Sequence, residues 1–281
     1  MLETDGASVV ASLDTPTPMV GLGEQVFVGE RTTGRIFEVI EGRQVTRLSL
    51  GSVDGQRGLL GLALVNERLF AAYVDVDDRI VVAEVDTGRL IYLGPKSAEL
   101  ANGGHLAVAP DGSLVLGIGD LQSPDLVDDT DTPNGKLLAL DVDGPPNQRP
   151  KVLSAGWNNP FAFAFDADGR LWVADNAPSS SSERIARGDV GARPTDVIEL
   201  DGEYAPSALL ALTPPGHDTE VLLMCSYLDE TVYVVEIDVN GQLSINDGPL
   251  DVTCSAGLAT ANGELYSAHE NKVLRWSLRG G

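Results

Sequence analysis

The chain has only two cysteines, Cys225 and Cys254, in 281 residues. Two are too few for a disulfide-built scaffold, so the fold must rest on an apolar core. The default expectation is two buried thiols, with a single bridge as the alternative. Positive charge is also scarce. Nineteen Lys and Arg stand against 42 Asp and Glu, a net charge of −23, and no Lys or Arg occurs between Pro194 and Asn271. Such a chain has nothing to release counterions from phosphates, which argues against nucleic acid and anionic membranes as partners. No run approaches a membrane span. The start, Met1 to Gly6, has neither the basic nor the apolar segment of a secretory leader. The expectation is a cytoplasmic, monomeric protein of one domain over residues 1–281. Also missing are EF-hand spacing, a zinc-type Cys/His cluster and a Gly-x-Ser-x-Gly elbow.

What the chain does have is a repeat. An apolar strand, a tight turn and a second apolar strand recur at Leu22–Val28, Val65–Phe70, Pro110–Leu116, Ala167–Val173, Asp218–Leu223 and Ala261–Tyr266. Asp-Gly or Asn-Gly joins several of these pairs, because those residues tolerate the positive φ of a hairpin turn. The copies are spaced by about 43–57 residues, and each is followed by further strand-like runs such as Arg79–Val85 and Thr231–Ile237. No segment of helical period stands out. The predicted fold is all-β, a six-bladed propeller of four-stranded antiparallel blades. The last blade runs out of chain after Ser277, so Ser8–Leu13 is expected to supply its outer strand and close the ring.

In such a ring the second strand of each blade ends at the funnel. Those ends carry Glu30-Arg31, Tyr73 to Asp75, Asp120, Asp175-Asn176, Cys225 to Tyr227 and His269-Glu270. The loops leading into each blade add Gln56-Arg57, Asn102, Trp157 to Asn159, Tyr204 and Cys254. This assignment assumes one register throughout, since a one-residue slip reverses the side chains. Two loops are long: the acidic Gly119–Gly135 and the serine-rich Asp175–Glu183.

Four motifs carry a resemblance to the quinoprotein glucose/sorbosone dehydrogenases. They are Gln56-Arg57-Gly58-Leu59-Leu60-Gly61, Ala101-Asn102-Gly103-Gly104-His105-Leu106 with Gly119-Asp120, Gly135-Lys136-Leu137-Leu138, and Asn158-Asn159-Pro160 with Asp175 to Pro178. The resemblance implies a propeller that holds pyrroloquinoline quinone and Ca²⁺ over the funnel, with a His as general base. Ala101 stands where that His belongs, His105 where the family has Arg, and Asn158 where the Arg of Arg-Asn-Pro belongs. His105 lies about 13 Å from position 101 along an extended strand, which makes it a poor stand-in and favours a structural role. The resemblance implies cations from the late blades for the quinone's carboxylates, and this chain has no Lys or Arg between Pro194 and Asn271.

The expected function is therefore a repurposed scaffold that binds a small organic molecule and transforms it, if at all, without quinone, by cyclase, isomerase or hydrolase chemistry. Candidate catalytic groups are His269, Asp175 and Asp120. Candidate ligand-binding groups are Arg57, Asn102, Trp157, Asn158, Asn159, Asn176, Tyr227 and Glu270. No cofactor is expected; Ca²⁺ on the backbone carbonyls of Ala177 and Pro178 is the alternative, and quinone is disfavoured. The competing readings are a quinone- and Ca²⁺-dependent aldose dehydrogenase with displaced groups, and a non-catalytic interaction propeller.

Overall fold

The computed structural model describes residues 2–177, 183–188, 191, 195–200, 204–238 and 240–280. They form a ring of six antiparallel sheets. Blade one is Pro16–Leu22, Gln25–Glu30, Arg35–Glu38 and Arg43–Arg47. Blade two is Leu59–Val65, Arg68–Val74, Arg79–Glu84 and Leu90–Lys96. Blade three is Gly103–Val108, Leu114–Ile118, Lys136–Leu140 and Lys151–Ala155. Blade four is Asn159–Phe165, Leu171–Asn176, Arg184–Arg187 and Thr195–Glu199. Blade five is Pro206–Leu212, Val221–Ser226, Thr231–Ile237 and Leu243–Thr253.

Blade six has Gly257–Ala261, Glu264–His269 and Lys272–Gly280 from the C-terminus. Its outer edge comes from the N-terminus, as expected: Ser8–Ser12 pairs with the first half of the last strand. A second piece, Leu2–Thr4, pairs with its far end, so that Leu2 lies opposite Gly280. Both edges that an open ring would expose are thereby covered.

The core is divided among the blade interfaces. Strand residues alternate sides, so Leu69 and Ala71 pack toward blade one with Ile36 and Leu62, while Phe70 and Ala72 pack toward blade three with Leu114 and Leu116. Because both faces of the inner strands are buried, they read as continuous apolar runs. The Gly-Gly pair of blade three serves this close packing. Gly103 and Gly104 have φ of +66° and +98°, and a Cβ on Gly104 would fall 2.3 Å from the Cβ of Leu60.

The two cysteines are bonded, contrary to the default of free thiols. They lie 29 residues apart, but the ring sets the end of blade five's second strand against the loop leading into blade six. The Cα atoms come to 5.7 Å, within bridging range.

Candidate functional site

The inner strands begin at the same end of the ring at which the second strands finish. In five of the six blades the first pair of strands is interrupted by a bulge near that end, for example between Asn159 and Ala162. A bulge re-aims side chains at the mouth while keeping the lower strand in register. The result is a cavity of about 870 Å³, within the range of sites for small organic molecules.

Four of the sequence candidates line it: Asn159, Asn176, Tyr227 and Glu270. Ala177 does as well; Pro178 and the serines Ser179 to Ser182 lie outside the described residues. The lining missed by sequence reasoning comes mainly from the starts of inner strands and from turns: Thr15, Thr17, Leu60, Phe161, Ser207, Leu228, Glu230, Ser255 and Ala256.

The other candidates sit behind the wall, in a buried network. Asp175 accepts the backbone N–H of Asn158 at 3.1 Å and of Asn159 at 2.8 Å, and pairs with Arg184 at 3.0 Å. Burial pushes its carboxyl up, against the pull of Arg184 and the two amides. Asp120 accepts the Asn158 side-chain amide at 2.7 Å and the Gln122 N–H at 2.8 Å. Burial raises its pKa, against the pull of the Gln122 amide. The Asn158 Oδ1 is buried without a protein partner. Asn102 is spent on Ala98 and on the Gln56 carbonyl. Trp157 is fully buried, its indole N–H on Ser154 and its ring beneath Arg184. Arg57 bonds the Ala98 carbonyl and Asp54. His269 is half-buried with its Nδ1 unpartnered, adjacent in sequence to the cavity but not on its lining.

The position that the sequence resemblance assigns to the general base is closed. Ala101 is 1% exposed, and its N–H donates to Gln56 Oε1 at 2.7 Å. Gln56 also accepts from Asn159, whose own carbonyl oxygen takes the Gly103 N–H. Three neutral amides, Gln56, Asn159 and Asn176, therefore contribute to the lining on this side. His105 packs edge-on against Phe163 and its Nε2 lies 3.0 Å from the Phe163 carbonyl, between blades three and four. Burial lowers its pKa to about 4.

Charge is distributed unevenly. The lining cation among the described residues is Arg31. One of its guanidinium nitrogens is engaged by the carbonyls of Val53, Gly55 and Arg57, and burial lowers its pKa while the Tyr227 hydroxyl works the other way. Three glutamates share the lining, Glu183, Glu230 and Glu270. Glu183 is occupied by the N–H groups of Tyr204 and Ala205. Among the described residues, no cluster of three or more His, Cys, Asp or Glu is placed to hold a metal. The acidic loop 119–135 is pinned by Asn134 on the Asp120 carbonyl and by the buried Lys136 ammonium on the carbonyls of Val127 and Asn134, leaving Asp125, Asp129 and Asp131 exposed to solvent.

Comparison with known proteins is consistent with this architecture. The family model described as glucose/sorbosone dehydrogenase matches residues 13–187, which is most of blades one to four. Three solved structures share the fold. One is an oxidoreductase from Thermus thermophilus described as a glucose dehydrogenase, 20% identical over 96% of this chain and 99% of that one, with a TM-score of 0.78. Another is the PQQ-bound aldose sugar dehydrogenase of Streptomyces coelicolor, 19% identical over 99% of each chain, with a TM-score of 0.78. The third is the apo-form soluble aldose sugar dehydrogenase of Escherichia coli, 17% identical over 99% of each chain, with a TM-score of 0.79. Among curated proteins no sequence matches.

Proposed function

The chain belongs to the glucose/sorbosone dehydrogenase family, and we propose that it uses the family's funnel to bind a small polar organic molecule without the quinone. The observation that carries this reading is the donor set of the cavity. A quinone with three carboxylates would need cations to hold it and a base beside the sugar. The lining offers Arg31 against Glu183, Glu230 and Glu270, and Ala101 occupies the base position. Like charges brought together out of water cost several kcal/mol. The residues present do not fit that group, and no step is routed through it.

The arrangement of Asp120 and Asp175 supports the same reading. Both are committed to backbone amides, Asn158 or Arg184 behind the wall. Groups free to move a proton inside the cavity are Tyr227, Glu230 and Glu270. The chemistry these groups could supply is proton transfer, of the isomerase, cyclase or hydrolase type. The test is reconstitution with pyrroloquinoline quinone and Ca²⁺ followed by a dye-linked assay on aldoses. The expected result is no quinone-dependent oxidation; sustained turnover would refute the proposal.

A further inference from the structure

We infer that the funnel carries a carboxylate subsite on the blade-one side: the free edge of the Arg31 guanidinium, with the Gln56 amide beside it, takes the single carboxylate of an organic acid. This rests on the quinone-free reading of the same cavity and names the ligand's chemical class.

Arg31 follows the second strand of blade one and lines the cavity. Its Nη1 is fixed by the carbonyls of Val53, Gly55 and Arg57 at 3.2, 3.0 and 2.9 Å, all in the stretch that leads into blade two. The guanidinium is planar, so an anchored Nη1 sets the direction of the opposite Nε–Nη2 edge, the fork that matches a carboxylate. That edge has no hydrogen bond or ion pair among the described residues. In a chain with 42 acids and 19 bases a half-buried arginine without a carboxylate is an anomaly. The acids near it in sequence are committed elsewhere. Glu30 accepts Arg35 at 2.6 Å and the Asp14 N–H at 2.8 Å, and Asp54 is paired with Arg57 at 2.9 Å. On the cavity itself, Glu183 faces the N–H groups of Tyr204 and Ala205. Glu230 and Glu270 lie exposed at the rim, where solvent and salt screen their repulsion of an anion.

The second observation is the direction of the Gln56 amide. Gln56 sits between Gly55 and Arg57, two of the residues whose carbonyls hold Arg31, and it lines the same cavity. Its Oε1 accepts the Ala101 N–H at 2.7 Å. A backbone N–H has no second orientation, so it fixes the amide and leaves Nε2 as the free end. Gln56 therefore adds a donor, not an acceptor, beside the arginine fork. A carboxylate accepts and never donates, so a cationic fork and a fixed amide donor both favour it over a hydroxyl. With one cation on the described lining, the subsite takes one carboxylate and not three. A neutral molecule of the same shape loses the charge-assisted bonds and keeps only the remaining contacts.

The experiment uses matched pairs on the intact protein. Calorimetric titrations compare glucuronate with glucose, gluconate with sorbitol, and benzoate with benzyl alcohol. At least one acid should bind about tenfold or more tightly than its neutral counterpart, and weaken with added salt. That advantage should vanish in Arg31→Gln and shrink in Arg31→Lys, which keeps the charge but not the fork. Arg31→Lys also keeps a donor for the three carbonyls, and melting curves of both variants verify the fold. If no acid outbinds its neutral counterpart, or if the advantage survives in Arg31→Gln, the inference is wrong while the quinone-free reading stands. If quinone binds with Ca²⁺ in a parallel titration, the quinone-free reading falls and the inference with it.

Discussion

Ala101 donates its backbone N–H to the side-chain oxygen of Gln56 at 2.7 Å, in the position that the sequence resemblance assigns to the general base. The residue is fully enclosed and adopts φ of +56°. Restoring a histidine there would add a ring to a closed space in a left-handed backbone. Ala101→His should cost about 1–3 kcal/mol and give no quinone-dependent oxidation. Denaturant unfolding and the dye-linked assay check both; a stable, active variant would mean that the base was lost alone.

Arg184 is a structural partner of Asp175. Its removal leaves a buried carboxylate facing only backbone amides. Arg184→Met should destabilise the fold by about 3–5 kcal/mol, read from urea unfolding midpoints. Unchanged stability would mean that Asp175 is not carrying a buried charge.

The Cys225–Cys254 bridge joins residues 29 apart, between blades five and six. Cys225→Ser/Cys254→Ser should lower stability by about 3–4 kcal/mol by the loop-entropy relation. Mass spectrometry under native conditions should find no free thiol. Two alkylatable thiols in the purified protein would contradict the bridge and restore the sequence expectation.

His105 is held neutral by burial down to about pH 4. In the unfolded chain a histidine titrates near 6.5. The unfolded state therefore binds the extra proton between these values, and this residue's contribution is full above pH 6.5 and falls as pH drops toward 4, by about 3 kcal/mol at most. The chain has three histidines, so NMR titration can resolve the one with the low pKa. A His105 that titrates near 6.5 would contradict its place between the blades.

The ring is legible in the sequence because its signals are local. Asn262-Gly263 and Asp111-Gly112 form turns in which Asn262 and both glycines take positive φ, as such pairs allow, and Ser8–Ser12 is the strand left over for the last blade. The ends of second strands locate Asn176, Tyr227 and Glu270 on the cavity for the same reason. What fails is one-residue discrimination at the mouth. Asn158 and Asn159 are neighbours, yet the bulge after Asn159 puts one on the cavity and the other behind it. Glu230 and Leu228 escape notice because they sit in a turn beyond the strand end. The commitments of Asp120, Asp175 and Asn102 depend on partners up to 46 residues away, and no local pattern reveals these.

The account's central claim concerns what the funnel accepts. It is tested most directly by isothermal titration of the purified protein with pyrroloquinoline quinone in the presence of Ca²⁺. We predict no saturable heat at micromolar quinone. Stoichiometric binding in that range would contradict the claim and return the chain to the quinone-dependent members of its family.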